Sequence, residues 1–176
     1  MADGGGKAMS VIALVLSVIA IAVSGWQAWE ARQARQEQAR AWVNVTEVAP
    51  LPKMQGRKSM VRVKFANEGH SPAQDTAVVY QVEVANDFSP PEEPPEDSYK
   101  HPVVIAAGAH SHLDISLADE LTPIQVDQWK GGQTLYLTGV FRYSDVYKQR
   151  HFTRFCFNYD KETTVFSSCP SYNSAD

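Results

Sequence analysis

Val61-Arg62-Val63-Lys64-Phe65 decides the fold class, because apolar and charged residues alternate strictly across it. A β-strand turns successive side chains to opposite faces, so this segment buries Val61, Val63 and Phe65 and leaves Arg62 and Lys64 in water. Val78, Tyr80, Val82 and Val84 repeat the same two-residue period. Strand-like runs also occur near Trp42 to Val48, Pro102 to Ala107, His110 to Leu117, Thr134 to Tyr143, His151 to Tyr159 and Thr163 to Ser167. Roughly seven or eight short strands separated by turn signals predict an antiparallel, immunoglobulin-like β-sandwich. One short helix interrupts them, with Thr122 as N-cap, Pro123 at its first position and Gly131-Gly132 beyond Trp129.

Upstream of Trp42 the pattern changes. From Ala8 to Trp29 no residue is charged, and Val11 to Val23 is almost purely Val, Ile, Leu and Ala. As a helix this stretch reaches roughly 33 Å, enough to cross a hydrocarbon core of ~30 Å. Trp26 and Trp29 lie on one helical face at its C-terminal end, where indoles favour the headgroup layer, and Arg32, Arg35 and Arg40 follow at the water side. A cleaved signal peptide is the competing reading, with Lys7, the apolar run and Ala22-Val23-Ser24 before Gly25 as its three regions. The tryptophans and arginines just past that cut favour an uncleaved, single-pass anchor in a cell membrane. Small residues at Ala13, Ser17, Ala20 and Ser24 trace one stripe, the pattern that lets two membrane helices approach as a homo-oligomer. Glu30 to Ala41 is rich in helix formers and lacks an apolar face, which predicts a helical stalk. The expected organisation is thus a tail at 1–7, a transmembrane helix at 8–29, a stalk at 30–41, a β-sandwich at 42–169 and a C-terminal tail at 170–176.

Composition narrows the function classes. A chain of 176 residues with 44% hydrophobic and 20% charged residues has room for one folded domain beside its anchor. Its net charge of −4 argues against nucleic acid as a partner. Asp87 to Lys100, DFSPPEEPPEDSYK, combines prolines with carboxylates and reads as an exposed acidic loop.

His110-Ser111-His112-Leu113-Asp114 is the metal candidate, because alternate positions place His110, His112 and Asp114 on one face of a strand. The same three residues, with Ser116, also read as the solvent side of a strand that buries Leu113, Ile115 and Leu117. His151 or His101 completes a ligand set only if the fold brings one of them close. No Gly-x-Ser-x-Gly elbow, glycine-rich phosphate loop or His-Glu-x-x-His motif occurs, so neither a catalytic residue nor a cofactor is assigned. Cys156 and Cys169 fall opposite each other if Lys161 to Thr164 closes a hairpin, which suits a cross-strand disulfide. The alternative is two ordinary thiols in a reducing cytosol. The arginines after the helix outnumber Lys7 and the terminal amine before it, which favours a cytoplasmic domain; a disulfide argues for the periplasmic or extracellular side.

Gln38-Ala39-Arg40-Ala41-Trp42-Val43, followed by Asn67-Glu68-Gly69-His70-Ser71-Pro72-Ala73, resembles a group of uncharacterised bacterial single-pass membrane-anchored proteins. These share an RA-aromatic-V lead-in strand and an N-x-G-x-S/T-P-A turn. The resemblance implies an anchored immunoglobulin-like domain without enzymatic activity. The expected function is a membrane-tethered, non-catalytic module that binds another protein or acts as an envelope scaffold. Two other readings are a metal-dependent enzyme or metal sensor built on His110, His112 and Asp114, and an envelope component with no discrete ligand.

Overall fold

The computed structural model describes residues 5–51, 59–92, 95, 98 and 102–176, with residues 5–13 as backbone. The chain divides into two compact units, Met1–Ala39 and Arg40–Asp176.

The first unit is one helix, α1, Gly5–Gln38. It is long and apolar enough to cross a membrane, with the candidate span at Leu14–Gln38. From Leu14 to Trp29 its side chains are exposed, Leu14 at 68% and Trp26 at 65%, so within the described chain no core covers this surface. Helix formation starts at Gly5, inside the segment expected as a tail at 1–7, and ends at Gln38, short of the expected stalk boundary at 41. The reason for the earlier end lies in the second unit, where Ala41 is fully buried and its neighbours are bonded to the sheet.

The second unit is mainly β and antiparallel. Strands β1 (Val43–Pro50), β2 (Met60–Asn67) and β5 (His110–Ser116) form a three-stranded sheet in the order β1-β2-β5. Strands β3 (Ala73–Ala85), β4 (Val103–Ile105), β6 (Thr134–Ser144), β7 (Arg150–Asp160) and β8 (Val165–Ser168) form the other in the order β4-β3-β6-β7-β8. Between β5 and β6 lie α2 (Leu117–Glu120) and α3 (Pro123–Lys130), the latter opened by a complete capping box between Thr122 and Gln125.

Alternation sets which face is buried. On β2 the side chains of Val61, Val63 and Phe65 are buried, and Val61 and Val63 stand opposite Ile115 and Leu113 of β5. On β3 and β6, Val78, Val82 and Val84 stand opposite Phe141, Leu137 and Leu135. Both inner faces feed one hydrophobic cluster, in which Phe65 meets Phe141 at 4.8 Å and Phe141 meets Phe155 at 5.6 Å between ring centroids.

The expectation of a free tail at 170–176 is corrected here. A ninth strand, β9 (Ser174–Ala175), pairs with Thr153 and Arg154 of β7, and Asp176 accepts the Phe152 N–H at 2.9 Å. The domain therefore runs from Arg40 to Asp176 rather than over 42–169. The physical cause is the outer edge of β7, whose unpaired backbone groups are shared between β8 and β9. The acidic proline-rich loop lies partly outside the described residues; Phe88 at its start meets Tyr136 at 5.5 Å and Tyr172 at 6.2 Å in tilted ring contacts.

Candidate functional site

At the end of the domain where the chain arrives from Arg40, Asn67 closes β2 with its side chain fully buried. Its Oδ1 accepts the backbone N–H of Trp42 at 3.0 Å and of Gly69 at 3.1 Å. Its Nδ2 donates to the carbonyls of Ser71 at 2.8 Å and Ile105 at 3.1 Å. Every hydrogen-bonding position that an amide side chain commonly uses is thus spent on joining three backbone segments. Gly69 is needed for the same junction, because a Cβ there would stand 2.5 Å from the Trp42 nitrogen and 2.8 Å from the Ala41 carbonyl carbon. The Asn-x-Gly-x-Ser-Pro-Ala turn is a clamp on the incoming chain.

Beside that clamp lies a buried polar pair. Asp145, 1% exposed, opens the β6–β7 turn and accepts the N–H groups of Tyr147 at 2.8 Å and Gln149 at 3.0 Å on one oxygen. Its other oxygen lies 3.2 Å from His151 Nε2. An ionised carboxylate can only accept, so Nε2 carries the proton. Nδ1 of His151 stands 3.7 Å from Asp176, which also lies 3.5 Å from Arg40. A cleft of about 370 Å³ opens alongside, lined by Tyr143, Arg142, Arg150 and His151 among others. The sequence reading missed Asp145 and His151 as a pair; the only local trace is an aspartate at the start of a tight hairpin turn.

The His110 strand face is present, but its members do not converge. His110 and His112 are exposed on β5, and Asp114 is held by Arg62 of β2, Nε to Oδ1 at 2.7 Å and Nη2 to Oδ2 at 2.8 Å. Both Asp114 oxygens are thereby engaged by a cation, and Lys64 stands opposite His112 in the register. Among the described residues, no group of three or more His, Cys, Asp or Glu side chains is placed to hold a metal ion. His151 belongs to the other sheet and to Asp145, while His101 lies outside the described residues.

Cys156 and Cys169 are joined by a disulfide, with Cα atoms 5.3 Å apart. Phe157 stands opposite Ser168, so the bridge occupies the next register position, where the Cys169 N–H also donates to the Cys156 carbonyl at 3.0 Å. On α1, the Trp26 and Trp29 rings meet at a tilt with centroids 6.0 Å apart, and Arg32 and Arg35 are exposed. Arg40 is not part of that helix; its guanidinium lies over the Trp42 ring at 4.8 Å within the domain. Of the small-residue stripe, Ser17, Ala20 and Ser24 are on the exposed helix surface, and the Ala13 side chain lies outside what is described.

A second cavity, of about 260 Å³, lies at the opposite end of the domain, where β1 ends and β2 begins. Leu51, Met60, Leu117, Trp129, Tyr159 and Phe166 line it, together with parts of both sheets.

A family model described as a domain of unknown function, DUF8453, matches residues 8–163. The chain belongs to that family. No curated protein matches the chain. The DUF8453 range takes in α1 from residue 8 onward, the Asn67 clamp, Asp145, His151 and Cys156, and ends before β8 and Cys169.

The electrostatics of these groups set an acid limit for the domain. Burial pushes the Asp145 pKa up, but hydrogen bonds from His151, Gln149 and Tyr147 outweigh it and hold the carboxyl below its ordinary 3.8. The hydrogen bond from Arg62, followed by the Arg62 and His112 charges, outweighs desolvation and lowers Asp114 as well. A depressed carboxylate means that the unfolded chain takes up protons first as the pH falls, so these groups stabilise the fold above the ordinary aspartate range and lose that contribution below it. Denaturant unfolding at a series of pH values is expected to show stability falling as the pH drops through and below the ordinary aspartate range, about pH 4. Asp145→Asn should flatten that fall, and an unchanged slope in the variant would exclude Asp145 as a contributor.

Proposed function

We propose that this DUF8453 chain is a single-pass, membrane-tethered, non-catalytic module whose immunoglobulin-like domain recognises another protein on the extracytoplasmic side. The observation that carries the reading is the Cys156–Cys169 disulfide, since such bonds form and persist in oxidising compartments. This reverses the preference for the cytoplasm based on basic residues. The basic residues flanking the helix, Arg32, Arg35 and Arg40 after it and Lys7 before it, argue for the cytoplasm, and this reading sets the disulfide above them.

Strand order supports the immunoglobulin-like assignment. With β1, β2 and β5 as A, B and E, and β3, β6 and β7 as C, F and G, the two sheets contain A-B-E and C-F-G, β4 takes the extra position next to C, and β8 and β9 extend the sheet beyond G. The non-catalytic reading is supported by how the polar side chains are used, because Asn67, Asp145 and Asp114 all spend their oxygens on structural partners. The proposed kinship with bacterial membrane-anchored proteins rests on the resemblance of the Gln38 to Val43 lead-in and of the Asn-x-Gly-x-Ser-Pro-Ala turn at Asn67 to Ala73.

The test is a pair of C-terminal reporter fusions on the full chain, one enzyme active only after export and one active only in the cytoplasm. Combined with acid trapping of thiols in intact cells, the expected result is an active export reporter and a fully oxidised Cys156–Cys169 pair. An active cytoplasmic reporter with two free thiols would reverse the assignment of side.

A further inference from the structure

The β6–β7 turn, Asp145 to Gln149, is closed by its backbone and by one side chain. The Asp145 N–H donates to the Gln149 carbonyl at 3.0 Å, and the Asp145 carboxylate accepts the N–H groups of Tyr147 and Gln149. Lys148 supplies the left-handed backbone, at φ 64°. The side chains of Val146 and Tyr147 are therefore not needed for the turn, where small polar residues are the usual choice. Both are nonetheless exposed, Val146 at 42% and Tyr147 at 44%. The one carboxylate of the turn is buried against His151, so the tip presents an aliphatic group, a phenol, the Lys148 ammonium and the Gln149 amide to solvent. Apolar and aromatic groups beside a long cationic side chain suit the headgroup layer of a bilayer.

The tip stands at the end of the domain where the chain enters. Asp176 links Arg40, at 3.5 Å, to the Phe152 N–H, at 2.9 Å, and Gln149 lies about 10 Å beyond Phe152 at the rise of a strand. Trp42, exposed under the Arg40 guanidinium, adds an indole at the same end. Within α1, Trp29 to Gln38 is about 14 Å of helix, which limits how far Arg40 departs from the layer that the α1 indoles favour. We infer that the β6–β7 tip is a second membrane contact, in which Val146 and Tyr147 enter the headgroup layer of the bilayer that holds α1. The inference rests on the tether reading above. A tip of this size is too small to hold a free protein, because stable partner interfaces bury about 1,200 Å² or more. A tethered domain meets its own bilayer at high effective concentration, so a weak contact suffices there.

The test uses the full chain in nanodiscs of phosphatidylcholine and phosphatidylglycerol with a nitroxide on the headgroup, read by paramagnetic relaxation of backbone amides. The tether alone brings the domain near the disc, so a second chain carries about thirty Gly-Ser residues between Ala39 and Arg40, a mean span of roughly 30 Å. The expected result is relaxation at Val146 and Tyr147 that persists in the linker chain, while Ile124 on α3 and Val165 on β8 stay at background. The double variant Val146→Ser, Tyr147→Ser keeps the backbone bonds of the turn. In the linker chain it should lower the ratio of docked to undocked domain about three- to tenfold, as expected for losing part of one apolar side chain's burial. The contact is overturned, and the tether left standing, if the linker removes the relaxation at the tip or if the double variant retains it in full while the chain stays in the disc. A chain that does not stay with the discs overturns the tether and the contact together. Tip-to-tip contacts between two copies in place of lipid would assign this end to a second copy and overturn the proposal as well.

Discussion

Asn67→Ala is expected to destabilise the domain by about 3–5 kcal/mol, a large share of the 5–15 kcal/mol that holds a typical domain folded. Truncation removes two accepted and two donated hydrogen bonds at a fully buried position. It leaves backbone groups of Trp42, Gly69, Ser71 and Ile105 without their partner in a place where water does not replace it. Thermal unfolding should fall by about 10 °C or more. Asn67→Asp separates the two halves of the clamp. It keeps the acceptor for Trp42 and Gly69 but turns a carboxylate oxygen toward the Ser71 and Ile105 carbonyls, so it should cost nearly as much at neutral pH and less in mild acid. A loss below about 1 kcal/mol in Asn67→Ala would mean that the junction relaxes, and the clamp would not be what fixes the incoming chain.

Loss of the disulfide is the second large effect. The bridge closes a loop of sequence separation 13, and a loop of that size stabilises by about 3 kcal/mol through restriction of the unfolded chain. The double variant Cys156→Ser, Cys169→Ser should therefore unfold at correspondingly lower denaturant, and reductant should bring the native chain to the same midpoint while leaving the variant unmoved. The hairpin register has a second support. Asn173 accepts the Cys156 N–H at 2.9 Å and donates to the Cys169 carbonyl at 2.9 Å. Opening should thus appear first as faster amide exchange over residues 165–176, ahead of the strands at the centre of the sheet. A variant as stable as the native chain, or one still sensitive to reductant, would show that the bridge does not restrict the unfolded state as argued.

What could be read from the chain follows from the range of each signal. Alternation in Val61 to Phe65 and the uncharged run from Ala8 to Trp29 are local patterns, set by the two-residue pleat and the length of a helix, and they determined a β domain following an apolar helix. Thr122 and Pro123 likewise marked their helix start, to which the structure adds Gln125 as the partner that completes the capping box. The pairing of Cys156 with Cys169 was legible only as far as the hairpin loop could be counted, and its partner thiol state was not.

The tertiary structure decided whatever depends on groups remote in sequence. Asn67 reads as a turn residue until Ile105, 38 positions away, supplies its fourth bond. Arg40 reads as a headgroup arginine until Asp176, 136 positions away, folds back beside it, and residues 170–176 read as a tail because two-residue strands carry no period of their own. Asp114 reads as a metal ligand until Arg62 of the neighbouring strand takes both its oxygens. For Asp114 the sequence by itself determined the strand the residue occupies, through short-range periodicity, whereas the elements of Arg40 and residues 170–176 and the partners of all these residues were decided only when strand pairing brought distant backbone and charged groups together.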